Sequence, residues 1–270
     1  MAPASEYVLA RRALLDALEA LEDQRNAVVL CGAQAIYLHT GEGDLAVSPY
    51  TTDADLALRP ELLLNDPTLP QAMEAAGFDL TDQPGIWRNR SGLQVDLLVP
   101  EKLSGPGRRS AGLEPPHGSK SARKVKGLEA SLVDNSSVAI ESFETTDLRS
   151  YIILVAGPAA LLVAKLHKIA DRMDQGANRL KNKDALDVYR ILQATPTEDL
   201  AESLRGLAVD PLAANVTATG VELLRSLFDH DQAEGIALLV DATFGLGDVE
   251  NISASCVALA DDLLRTMGAS

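Results

Sequence analysis

The sequence predicts an α+β fold, with a mixed β-sheet and flanking helices over residues 1–156 and an all-helical part over 157–270. Three observations carry this. Apolar runs rich in Val, Ile and Leu recur from AVVLC at 27–31 to YIILVAG at 151–157, each of strand length and bounded by Gly, Pro or Asn. Helical periodicity separates only some of these runs, so parallel and antiparallel neighbours are both expected. From Pro158 onward the period is helical throughout, and Pro158 suits a first helical turn.

Taken in order, residues 5–22 place Leu14, Leu15, Leu18 and Leu21 at helical spacing. AVVLC reads as an inner strand that Gly32 breaks, and AQAIYLHT (33–40) as a short helix. That helix ends before GEGD, where Gly41 and Gly43 permit a turn. DADLALRP (53–60) is a strand, Leu69–Ala76 a helix, and GFDLT (77–81), GIWRNR (85–90) and LQVDLLV (93–99) are further strands. Residues 101–126, rich in Gly, Pro, Ser and base, are expected to form a long exposed loop, partly mobile. Strands resume with LEASLVD (128–134), a turn at Asn135 and Ser136, SVAI (137–140) and YIILVAG.

A chain of 270 residues, 46% hydrophobic, can bury a substantial core. No apolar stretch approaches the roughly 20 residues of a membrane span. The N-terminus has arginines inside an amphipathic helix and lacks a signal-peptide layout, so a cytoplasmic protein without membrane contact is expected. Cys31 and Cys256 sit in apolar surroundings without metal or redox spacing and read as buried thiols. The net charge of −15 argues against a polyanionic partner, yet all eight lysines fall between Lys102 and Lys183. Residues 101–126 hold seven bases against two acids, an electropositive segment suited to phosphate or nucleic acid.

The chemistry concentrates at Asp53 and Asp55. In a strand, residues two apart point the same way, so these carboxylates stand side by side, where they repel and resist desolvation. A divalent cation resolves that cost, and Mg²⁺ (or Mn²⁺) takes one or two carboxylates together with water and substrate phosphates. Asp96, in the otherwise apolar VDLLV, offers a third ligand and room for a second metal. Gly32 and Ala33 follow a strand and open a helix, so their N–H groups form an anion cradle for the phosphates of an NTP. The implied step is in-line phosphoryl transfer at the α-phosphate.

CGAQ (31–34), DAD (53–55) and Asp96 in LQVDLLV together resemble the nucleotidyltransferase superfamily, whose fold includes the DNA polymerase β palm. By that resemblance Asp53, Asp55 and Asp96 are the metal ligands. Ala33 departs from the family's Gly or Ser, keeping a backbone N–H and losing a hydroxyl. GPAALLVAKLHKIADR followed by KNKDALDVYRIL resembles AbiEii-type and MenT-type nucleotidyltransferase toxins. Lys165, Lys168 and Arg172 share one face of the first helix, opposite Leu162, Leu166, Ile169 and Met173. On the second helix Lys183, Asp187 and Arg190 share a face beside Asp184. The resemblance implies that Lys165, with Lys168 and Lys183, meets the triphosphate. It gives Asp184 or Asp187 the task of orienting Lys165 or assisting proton transfer. The final seventy-odd residues resemble nothing known to us.

Blander alternatives stand beside these. An isolated Asp-x-Asp caps a turn or faces solvent on an edge strand. Lys165 and Lys168 also fit a solvated helix face, and Lys183 with Asp187 a surface i,i+4 pair. His39, His117 and His167 lack ligand spacing, and Trp87 reads as a core anchor. The expectation is a metal-dependent nucleotidyltransferase moving an NMP to an acceptor hydroxyl, with the 3′ end of a tRNA as acceptor and an antitoxin as partner. The alternatives are transfer to a small molecule or protein side chain, and a non-catalytic module that binds a nucleotide or a partner.

Overall fold

The computed structural model describes residues 5–41, 51–174, 182–245 and 248–268; Gly43, in the expected GEGD turn, lies outside them. Helix α1 (Ser5–Ala20) is followed by strand β1 (Val28–Cys31), helix α2 (Gly32–Thr40), strand β2 (Asp53–Leu58) and helix α3 (Leu69–Ala75). Strands β3 (Phe78–Leu80), β4 (Ile86–Asn89), β5 (Gln94–Pro100), β6 (Arg123–Val125), β7 (Asn135–Glu141) and β8 (Ser150–Ala156) complete the sheet. Six helices follow: α4 (Pro158–Asp174), α5 (Lys183–Ala194), α6 (Thr197–Val209), α7 (Ala214–Phe228), α8 (Glu234–Thr243) and α9 (Val249–Thr266). The architecture is the expected α+β one, a mixed sheet followed by helices. No described helix is long and apolar enough to cross a membrane.

The strand order is β3-β4-β5-β2-β1-β8-β7, with β6 continuing beyond β4 along the same edge of β5. β1 is buried at every position because strands flank it on both sides, antiparallel β2 and parallel β8. That explains its unbroken apolar run in place of alternation. α1 buries Leu14, Leu15, Leu18 and Leu21 completely, and Trp87 is fully buried with its indole N–H donating to Ser121 O at 2.9 Å. Both cysteines are free and buried.

Three expectations need correction. Residues 101–126 are not simply an exposed loop. Ala111, Leu113, His117, Ser121 and Ala122 are buried, β6 pairs in parallel with β5, and Gly85 N–H donates to Lys120 O at 2.9 Å. The segment's few apolar residues suffice because they are small and seat on an existing strand edge. LEASLVD is no strand: Glu129–Leu132 is one 3₁₀ turn with all four residues buried, a pattern that alternation cannot produce. Glu129 is tolerated there because its carboxylate accepts the Lys102 N–H at 3.0 Å. Asn135 and Ser136 are not a turn but the start of β7, paired with Ala156 and Val155. A long ladder to β8 overrides their local turn preference.

The junction into the helices is built locally. Gly157 N–H donates to Asp134 O at 2.8 Å, and Asp134 Oδ2 accepts from Ala160 N–H at 3.0 Å, capping α4. α4 and α5 both pack against α2, which itself packs on β2.

Candidate active site

β2 and β5 run parallel, and the register pairs Asp53 with Gln94 and Asp55 with Asp96. Residues paired across adjacent strands point to the same face, and Asp53 lies two residues before Asp55, so all three carboxylates stand on one side of the sheet. The sequence-predicted triad is therefore brought together. Cys31 pairs with Asp55 from the opposite edge of β2, which puts the β1–α2 turn beside that carboxylate.

Gly32 occupies this turn at φ +68°, and a Cβ built there would overlap Asp55 Oδ2. Glycine thus serves two purposes here: it adopts the left-handed conformation and it lets backbone approach a carboxylate. The N-terminus of α2, which opens at this turn, has no side-chain cap hydrogen bond. Gly32→Ala is expected to destabilise by more than Gly92→Ala. Both have positive φ, but nothing lies within 4 Å of a Cβ at Gly92. The conformational part is about 1–2 kcal/mol in each case, and the excess measured by urea unfolding reports the clash with Asp55.

Charge accumulates around these carboxylates. Burial, then the neighbouring Asp53, raises the Asp55 carboxyl above its ordinary range, with Lys168, Arg123 and Lys165 opposing. Burial and then Asp55 push Asp96 up to about 7, against Arg123 and Gln94. Asp96 is only 4% exposed, and both of its oxygens are engaged: Gln94 Nε2 donates to Oδ1 at 2.8 Å and Arg123 Nη2 to Oδ2 at 2.5 Å. Thr51 Oγ1 donates to Asp53 Oδ1 at 2.8 Å. Gln34, buried, donates to Asp53 O at 3.1 Å and Ala10 O at 3.0 Å, while Arg11 holds its Oε1 at 3.1 Å. These contacts fix where β2 starts.

The donor set is all oxygen and anionic, the chemistry of a hard divalent cation, and the raised carboxyls mark the counter-charge such an ion supplies. Asp53 and Asp55 are the pair suited to hold it. As arranged, no group of three His, Cys, Asp or Glu among the described residues converges for coordination. Asp96 is turned to Gln94 and Arg123.

The cations come from the helical part. Lys165, 4% exposed, donates to Asp187 Oδ2 at 2.6 Å and Asp184 Oδ1 at 2.8 Å. Burial alone would lower Lys165, but Asp187 and Asp184 outweigh it and hold the ammonium well above its ordinary range. Asp184 also accepts from Arg172, and Lys168 Nζ lies 3.7 Å from it. Burial would raise Asp184, yet Lys165, Lys168 and Arg172 hold it well below the ordinary carboxylate range. Lys183 is lowered chiefly by burial, with Asp187 and Asp53 among the charges that oppose this. Arg190 packs its guanidinium 5.5 Å from the Tyr37 ring centroid, docking α5 on α2.

Two blander alternatives fall here. Lys165 is no solvated lysine, and Asp187, fully buried, is no member of a surface pair. Lys165 is held by Asp184 and Asp187 together, and that double engagement leaves Lys168, whose side chain is 43% exposed, better placed to meet an incoming anion. His39 and His167 bond the carbonyls of Ala156 and Val216, and His117 accepts from Leu69 N–H, so all three are structural. Gln34, Thr51, Gln94 and Arg123 were missed. Gln94 had a signal, standing two residues before Asp96 on the same face; Arg123 had none beyond its basic segment.

The raised Asp96 carboxyl has a consequence for stability in chelator. An unfolded aspartate ionises near pH 4, whereas folded Asp96 holds its proton to about 7. The folded state therefore binds more protons between those values, and stability falls as pH rises through that window, levelling off above it. Melting temperatures of wild type and Asp96→Asn across pH 4 to 8 are expected to diverge in that sense; parallel curves would contradict it.

No protein-family model matches the chain, and no curated protein matches it significantly. Among solved structures it is similar to an antigenic nucleotidyltransferase-like protein from Paracoccidioides brasiliensis, at 13% identity and a TM-score of 0.39, over 91% of this chain and 93% of that one.

Proposed function

We propose that the chain is a metal-dependent nucleotidyltransferase that moves an NMP from an NTP to an acceptor hydroxyl. The observation that carries this is the placement of Asp53, Asp55 and Asp96 on one side of the sheet, beside Gly32 and within the influence of the cations of α4. Bound Mg²⁺ or Mn²⁺ supplies the Lewis acidity that displacement of pyrophosphate requires. Asp53 and Asp55 hold it, and Asp96 completes the set. The N–H groups at Gly32 and Ala33 bind phosphate oxygens, with Lys168 and Lys183 as the charges near them. Lys165 is a positioning residue, fixing α4 to α5 through Asp184 and Asp187. Asp184, tied to Lys165 and Arg172, is a poor proton acceptor, so the proton of the acceptor hydroxyl falls to Asp96 or to solvent.

The acceptor we infer is RNA, a tRNA 3′ end, in a toxin–antitoxin setting with a separately encoded antitoxin. Support comes from the residues quoted above that resemble toxin nucleotidyltransferases and from the basic segment joined to β5 through β6. Arg108, Arg109 and Lys120 are exposed along it, within reach of an RNA backbone. The acidic balance elsewhere favours a second reading, a small cationic acceptor. Purified protein with Mg²⁺, each labelled NTP and total RNA is expected to label RNA, and Asp55→Ala to label none. Labelling that falls steeply with salt supports RNA; salt-insensitive transfer to a small acceptor supports the second reading. No label on any acceptor with all four NTPs would end both.

A further inference from the structure

Arg123 arrives at the site from the segment that the sequence left as a loop. It is paired through β6 to Leu98 of β5, and its backbone sits on Gly85, where any Cβ would collide with Arg123 N and Leu97 O. Its guanidinium meets Asp96 through one nitrogen, Nη2 to Oδ2 at 2.5 Å. Its Nε is buried and has no hydrogen-bond partner. Arg–carboxylate bridges are frequently made through two parallel N–H donors, which is the stronger arrangement. Here one contact is made and a second donor is left unsatisfied, at a desolvation cost. The bridged carboxylate is the one paired across the sheet with Asp55, on the same face as Asp53.

Resting on the nucleotidyltransferase reading, we propose that Arg123 is the counter-cation Asp96 exchanges for the divalent ion, so that β6 gates assembly of the metal site. While Arg123 holds Oδ2, only Asp53 and Asp55 face an incoming ion. When a metal-bound triphosphate arrives, Asp96 turns to the metal, and the freed guanidinium, with its unused Nε–H, finds a phosphate oxygen. The exchange conserves charge pairing for the two groups that move: Asp96 and Arg123 each have an opposite partner before and after. Arg123 is 34% exposed at its side chain, so it has room to move.

The test is Mn²⁺ binding to nucleotide-free protein, followed by electron paramagnetic resonance of free Mn²⁺. Arg123→Gln is expected to bind Mn²⁺ about tenfold more tightly than wild type, because Asp96 is released to the ion. A merely structural role moves the affinity the other way, since loosening β6 loosens the site. Asp55→Asn is expected to bind weakly in either background. If Arg123→Gln does not fold, Arg123→Met, of similar length and uncharged, makes the same comparison. Unchanged or weaker binding in the folded Arg123 variant, with Asp55→Asn still impaired, overturns the gate and leaves the enzymatic reading standing. Binding indifferent to Asp55 overturns both.

Discussion

Replacing Lys165 by methionine is expected to cost the fold about 3–5 kcal/mol, the range for removing one partner of a buried ion pair. The ammonium is buried with Asp184 and Asp187, whose side chains are 5% and 1% exposed. Without it Asp184 keeps Arg172 and Lys168, but Asp187 loses its 2.6 Å donor. Asp187 Oδ1 has no hydrogen-bond partner even now, so the site tolerates little further loss. For a chain of this size the melting temperature drops by roughly 10 °C. The double variant Lys165→Met with Asp187→Asn recovers part of the loss by removing the stranded charge. Thermal unfolding of the three proteins measures this; a loss under about 1 kcal/mol for Lys165→Met would show that the cluster contributes little.

Asp55→Asn is expected to do the reverse, leaving the fold intact and removing activity. Burial and Asp53 both disfavour its charge, so a neutral amide of the same shape relieves the sheet and keeps the contact with Gly32. On the proposed reading Asp55 holds a catalytic metal, worth several kcal/mol in the transition state, so transfer falls by at least about a thousandfold. Rates of NMP incorporation beside melting curves separate the two effects. Activity within tenfold of wild type would remove Asp55 from the chemistry.

The lesson from the elements is uneven. β1 was legible because a strand buried on both sides needs an unbroken apolar run, β2, β5 and β8 because each holds a short apolar run of strand length, and α4 because three cations face away from Leu162, Leu166 and Ile169, all buried. Residues 128–136 were not legible. Leu128, Ala130 and Leu132 alternate as a strand does, yet the segment is a 3₁₀ turn with Glu129 and Ser131 buried as well, and that burial depends on partners elsewhere in the chain. β6 was hidden for the same reason, as three residues without alternation of their own owe their strand to the free edge of β5.

By itself the sequence determined that Asp53 and Asp55 share a face, because the period of a strand is a local property, and that Gly32 opens a helix next to a strand. Only the tertiary structure decided that Asp96 lies beside Asp55 and that Arg123 occupies it. It likewise decided that Lys165 is spent on Asp184 and Asp187. Register between strands and contacts between helices are set by long-range packing, and no spacing within one segment encodes them.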